Sequence, residues 1–236
     1  MRRPQLVPLV LAAAVAATAA GCSLVGDPGP PTTQSRTIED TVTGVELHTS
    51  GDVVITTGRE AALSITAGSN VIDSLTSGVQ GDVLVLGTRG VVGNLGQVDY
   101  ELALPSVEEL TVSGSGTITV KEIDGARLEV TVSGSGAVRA DGVNVTDVGA
   151  TVSGSGSVEI AGKAETLRAV VSGSGRIAGY GLAALDAEVE VSGSGRAEVD
   201  AEQSLDARVS GSGEIRYTGS AAVKSQVSGS GSVSPR

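Results

Sequence analysis

From residue 110 onward apolar and polar side chains alternate around a recurring valine. Around Val112 the apolar residues are Leu110 and Ile118, with Thr111, Ser113, Ser115 and Thr119 at the odd offsets. The pattern returns at Val132, Val152, Val171, Val191, Val209 and Val227, in steps of 20, 20, 19, 20, 18 and 18 residues. Two residues before these valines stand Leu110, Val130, Ala150, Ala169, Val189, Ala207 and Ser225. Six residues after them stand Ile118, Val138, Val158, Ile177, Ala197, Ile215 and Val233. Apolar residues at even offsets and polar ones at odd offsets predict strands with one buried face.

Each valine opens the pentapeptide Val-Ser-Gly-Ser-Gly, present in seven copies. A short motif at a near-constant period predicts a solenoid, each period being one coil stacked on the last. The alternation keeps its parity across the motif. The chain is therefore expected to bend there without exchanging its faces, with glycines inward or at a corner. The serines then point outward in two columns: Ser113, Ser133, Ser153, Ser172, Ser192, Ser210 and Ser228, and beside them Ser115, Ser135, Ser155, Ser174, Ser194, Ser212 and Ser230. Asp124-Gly125, Asp141-Gly142 and Ala161-Gly162 mark further turns, which predicts two or three short strands per coil. At ~4.8 Å per coil the seven coils make a rod of ~34 Å. The odd columns set Arg139 beside Glu159, Glu190 beside Arg208 and Glu198 beside Arg216, opposite charges that help hold register.

Residues 38–111 read as irregular N-terminal coils of the same solenoid, and 112–236 as its seven regular ones. Val45 to Val53 echoes the motif with one Ser-Gly lost, and Leu63-Ser64-Ile65-Thr66, Val83 to Leu86 and Tyr100 to Leu104 read as strands.

The first 21 residues differ in kind. Arg2 and Arg3 precede an apolar run from Leu6 to Ala20, too short to span a bilayer comfortably, which predicts an export signal over 1–21. Ala19-Ala20-Gly21-Cys22 resembles a bacterial lipobox, which implies cleavage before Cys22 and lipidation of its thiol. Residues 22–37, with Asp27-Pro28-Gly29-Pro30-Pro31, read as a flexible tether. Extended, Ser23 to Arg36 would reach ~50 Å. The expected location is the outer face of the cell membrane or envelope, and the expected partners are the membrane, through Cys22, and an unidentified envelope or surface ligand.

Composition narrows the chemistry. Without its leader the chain carries a formal charge of −13, which argues against nucleic acid. It holds no Phe or Trp and three Tyr, so Val, Ala, Leu and Ile must fill the interior, as suits a narrow lumen. The single Cys excludes an internal disulfide, and the single His, His48, has no second His or Cys with which to hold a metal. No catalytic residue, metal ligand or cofactor site is predicted.

Leu104-Pro105-Ser106-Val107 leads into the first motif. Near the end, Gly211-Ser212-Gly213-Glu214-Ile215-Arg216-Tyr217-Thr218-Gly219 closes on Val227 to Val233. These segments resemble the head GIN domain family, auto-transporter adhesins of bacterial surfaces. The resemblance covers residues 38–234 and implies a right-handed parallel β-helix and an adhesive role; with the motif spacing, the expected fold is an all-β solenoid with coils of about 18–20 residues. The chain departs from the family where an acidic residue tends to follow the last motif glycine. Thr117, Ala137, Ser157, Arg176, Arg196 and Ser232 stand there, with Glu only at 214.

The reading is thus a non-catalytic, lipid-anchored adhesin or envelope scaffold. The alternatives are a polysaccharide-active β-helix enzyme, for which the short coil spacing leaves no long loop, and an envelope accessory to a membrane sensor. The edge at Ser234-Pro235-Arg236 is expected to be blunted by Pro235, which favours a monomer.

Overall fold

The seven motif coils stack in parallel and in register. The computed structural model describes residues 26–90 and 93–236. Its regular part is built from β8 (Glu109–Val112), β9 (Thr117–Val132), β10 (Ala137–Gly154), β11 (Ser157–Gly173), β12 (Arg176–Gly193) and β13 (Arg196–Gly211), closed by β14 (Glu214–Thr218), β15 (Ala222–Gly229) and β16 (Ser232–Pro235). Val152 pairs with Val171, Val171 with Val191, Val191 with Val209 and Val209 with Val227. The protein is a parallel β-solenoid.

The two or three short strands expected per coil are instead one long strand of 16–18 residues in β9 to β13, bent but continuous in its ladder. Gly125 makes no turn; it lies within β9 and pairs with Val145. The backbone reverses its twist earlier, at Glu122, and in the next coil at Gly142. The changes of period are absorbed near this same corner. Register shifts fall between Ala140 and Val143, between Glu159 and Ala161, between Gly179 and Ala183, and between Ala184 and Asp186. These are bulges, which add residues to one strand without disturbing the ladder on either side. The motif stays aligned while coil length varies.

The even columns fill the lumen. The motif valines from Val112 to Val209 are at most 3% exposed, and Leu128, Val130, Ile118 and Ile177 are buried with them. Burying a valine this fully stabilises by ~1.5–3 kcal/mol relative to leaving it in water. The final coil differs, since among the described residues no strand stacks beyond it: Val223 and Val227 are 39% and 46% exposed.

The N-terminal third contains β1 (Pro31–Arg36), β2 (Gly44–Leu47), β3 (Asp52–Thr57), β4 (Ala62–Gly68), β5 (Leu75–Gln80), β6 (Val83–Thr88) and β7 (Asp99–Leu104). One turn of 3-10 helix, Ile72–Ser74, joins β4 to β5. β2 and β3 form a coil directly beneath β8 and β9, with Leu47 opposite Val112 and Asp52 opposite Thr117. Leu47-His48-Thr49-Ser50-Gly51 therefore matches the motif residue for residue. No Ser-Gly has been lost; His48 and Thr49 replace the first Ser and Gly, which hides the copy in the sequence.

Beneath that coil lies another, made of β6 under β2 and β7 under β3, all parallel. It comes later in the chain than the coil above it, so these two coils stack in inverted order. Beyond them the direction reverses. β5 pairs antiparallel with β6, β4 with β7, and β1 with β4. Residues 38–111 are thus two coils plus an antiparallel cap rather than irregular coils throughout. An antiparallel partner needs only a tight turn to reach the open edge, here at Gly81 (φ 67°) between β5 and β6.

The tether expected over 22–37 is corrected from residue 26 onward. Thr33 and Ser35 sit opposite Thr66 and Ser64 in the β1–β4 ladder. Pro31 opens an edge strand, where its missing donor costs no ladder bond.

Candidate surface site

The motif's chemistry follows from how closely the coils approach. A Cβ on Gly136 would lie 2.5 Å from Cγ1 of Val112, and one on Gly156 the same distance from Cγ1 of Val132. The second motif glycine thus leaves the space into which the valine of the preceding coil projects. The first glycine passes over the backbone: a Cβ on Gly134 would lie 2.6 Å from the carbonyl oxygen of Gly114. From Gly154 on, this position also has positive φ, 137° there and 113° at Gly229. A side chain would be both crowded and strained.

All fourteen motif serines are exposed. Ser153, Ser172, Ser192, Ser210 and Ser228 stack by direct register. Backbone N–H groups of Ser135, Ser155, Ser174, Ser194, Ser212 and Ser230 donate to glycine carbonyls of the preceding coil at 2.8–3.2 Å. Ser113, Ser133 and Ser115 continue the two columns toward the cap, where His48 and Ser50 extend them. The backbone is satisfied internally, and the hydroxyls form a polar edge spaced ~4.8 Å along the axis.

The charged side of the rod is a second feature. Three residues before successive motif valines stand Glu129, Gly149, Arg168, Glu188, Asp206 and Lys224. Arg168 pairs directly with Glu188. Arg208 reaches diagonally to Glu188 at 2.7 Å and along its own strand to Asp206 at 2.8 Å, and Lys224 meets Asp206 at 3.4 Å. Arg208 hydrogen bonding, with Arg168 adding to it, holds the Glu188 carboxyl below its ordinary range. Glu214 is lowered by Arg216, with help from Arg196.

Of the predicted charge pairs, Arg139–Glu159 forms at 3.7 Å. Glu190 and Glu198 lie in register with Arg208 and Arg216, but those guanidinium groups turn to Glu188, Asp206 and Glu214. Register sets which residues are neighbours; the reach of a long side chain selects among them. The stronger cluster was recoverable from the column three residues before the motif valine.

Two open hollows adjoin on the side of β3. One, of 520 Å³, is lined by Val54, Thr119, Lys121 and Asp141. The other, of 690 Å³, is lined by Arg36, Arg59, Ser64 and Glu101. Val54 and Thr56 line both, and Val54 is 53% exposed. His48, just past β2, is exposed and its Nε2 lies 2.9 Å from Glu46, a local surface pairing. Among the described residues no group of three or more His, Cys, Asp or Glu could hold a metal ion. The predicted lipidation residue, Cys22, lies outside the described residues.

One family profile, described as "Putative auto-transporter adhesin, head GIN domain", matches residues 42–221. Several solved structures share the fold. A "putative adhesin" from Bacteroides fragilis superposes with a TM-score of 0.75 at 22% identity, covering 88% of this chain and 97% of its own. A "putative lipid binding protein" from Parabacteroides distasonis gives 0.72 at 24% identity, with 88% and 97% covered. A "putative adhesin" from Parabacteroides merdae gives 0.70 at 22% identity, again with 88% and 97% covered. At these identities the likeness establishes the fold. No curated protein matches the chain.

Proposed function

Since the chain belongs to the head GIN domain family, we propose that it is a lipid-anchored, non-catalytic surface protein whose stacked coils present an adhesive face. The observation that carries this reading is the pair of serine columns. The motif repeats outward-facing hydroxyls in each of its seven coils while the coil length varies elsewhere, so the polar edge is kept regular over those coils. A periodic, shallow polar surface suits many weak contacts with an extended or repeating ligand, whose affinities multiply when engaged together. The residue that would anchor the protein is Cys22, with the small residues before it marking the cleavage point.

Attachment of whole cells to mucin-coated glass under flow tests the adhesive role. A strain lacking this protein should detach at lower shear. The wild-type chain should restore attachment, and a chain with the Ser113-to-Ser228 column changed to lysine should not. Equal attachment with and without the protein, on mucin and on a layer of sister cells alike, would sink the proposal.

A further inference from the structure

We infer that Gly26–Arg36 is a docked strap that holds the cap end of the solenoid against the membrane and directs its last coils outward. The inference rests on lipidation at Cys22, as proposed above.

The strap is bound along its whole length. Asn94 Nδ2 donates to the Gly26 carbonyl at 3.4 Å, and Asn70 Nδ2 to the Asp27 carbonyl at 3.1 Å. The backbone N–H groups of Asn70 and Ser69 donate to the carbonyls of Pro28 and Pro30 at 3.0 and 2.9 Å. Pro28 lies over Gly68 and Gly96, where any Cβ would meet it. Beyond it, β1 pairs with β4 over six residues, and Thr33 bonds Thr66 through their hydroxyls at 2.8 Å. Arg36 then closes the strap by donating to the carbonyls of Leu75 and Ile72 at 2.9 and 3.2 Å.

The span between Cys22 and the strap is therefore short. Only four residue steps separate Cys22 from Gly26, a reach of ~14 Å at most, against ~50 Å for an undocked tether. The strap is bound to β4, which pairs with β7, and to the turns around Asn70 and Asn94. From β7 the stack runs through β3 and β9 to β16, eight ladder steps and ~38 Å away. Charge gives neither end an attraction for the membrane, so the leash alone decides which end stays near it. The cap and first coils, residues 26–111, carry a formal charge of −9, and the motif coils −4. An anionic leaflet repels both parts, so a rod leashed at one end keeps its far end off the surface. The exposed last coil and the serine columns are then what the cell presents.

The test uses the full lipidated chain in vesicles of phosphatidylethanolamine and phosphatidylglycerol carrying a headgroup energy acceptor. Cys22 is the only native cysteine, so an added one is the single free thiol once the lipid is attached. Gln97→Cys labels the cap and Ser228→Cys the last coil; both sites are exposed. Energy transfer should be several-fold greater from position 97. It should fall there when Gly68→Val displaces the strap. It should also fall when a Gly/Ser segment of ~12 residues is inserted after Ser23, which lengthens the link from Cys22 to the strap and leaves Gly26–Arg36 unchanged. Equal transfer from both labels in vesicle-bound protein, or no response to the insertion, would overturn the orientation alone. Protein that fails to float with the vesicles would overturn the anchor and the orientation with it.

Discussion

Glu122 and Gly142 stand one above the other at the same corner of successive coils, and both have left-handed backbone, with φ of 61° and 67°. Glu122 is the only non-glycine residue with positive φ among those described. The hydroxyl of Thr57 donates to its carbonyl at 2.7 Å, which holds the corner in place. A left-handed residue with a Cβ costs ~1–2 kcal/mol. Glu122→Gly should therefore stabilise the protein by ~0.5–1 kcal/mol after the added flexibility of the unfolded chain is subtracted. A urea midpoint that rises with an unchanged slope checks this.

The motif predicts a sharp contrast between its glycines and its serines. Gly156→Ala would put a methyl group 2.5 Å from Val132 Cγ1 and 2.6 Å from the Gly136 carbonyl. It should destabilise by ~1–3 kcal/mol, as overpacking does. Ser155→Ala, at an exposed neighbour, should stay within ~0.5 kcal/mol. Equal midpoints for the two variants in urea titrations would show that the close approach is not what requires glycine.

Tyr100 is the largest fully buried side chain, and its hydroxyl has no hydrogen bond of good geometry. Burial pushes the phenol above its ordinary value of 10.0, an effect that the neighbouring Thr49 offsets only in part. Tyr100→Phe should stabilise by ~1 kcal/mol, since it removes an unsatisfied buried group. Because the folded value is raised, the wild type should lose stability as pH rises beyond 10.0, while the unfolded phenol ionises and the folded one does not. Denaturation midpoints at pH 8 and above 10 would show this loss in the wild type and a smaller one in the variant.

The charged side predicts the opposite pH dependence. Glu188 and Glu214 are held below their ordinary value of 4.5 by arginines. Their contribution is present above that value and is lost as pH falls through the lower folded values. Arg208→Gln removes the main partner of Glu188 and should flatten the acid side of the stability profile without changing the alkaline side. Salt should narrow the difference between variant and wild type, because these groups face solvent. Urea titrations between pH 3 and 7, at low and high salt, measure both effects.

How much of this was legible in the sequence depended on periodicity. The Val-Ser-Gly-Ser-Gly spacing predicted which residues stack, because a parallel ladder conserves offset from one coil to the next. Bulges did not spoil it, since they fall near Gly142 and Gly162, away from the motif. The antiparallel cap left no such trace. Pro31–Arg36 is a polar edge strand whose partner, Leu63–Gly68, shares no repeat with it. The tether reading failed because prolines and threonines fit an edge strand as well as a flexible segment. The inverted coils were hidden for a different reason: the order of stacking is a property of the path, and no local pattern encodes it.

That path governs how the molecule yields to force. A pull on the N-terminus first peels β1, which is held by one ladder to β4. The next strands in the chain are β2 and β3. β2 is clasped between β6 and β8, and β3 between β7 and β9. Unwinding cannot then proceed turn by turn, because two ladders must part at once while the strands to be removed lie inside the stack. The interleaved coils act as a knot-free locking hitch: a load on the N-terminal end is arrested after one strand, and the serine-bearing coils beyond it keep their shape.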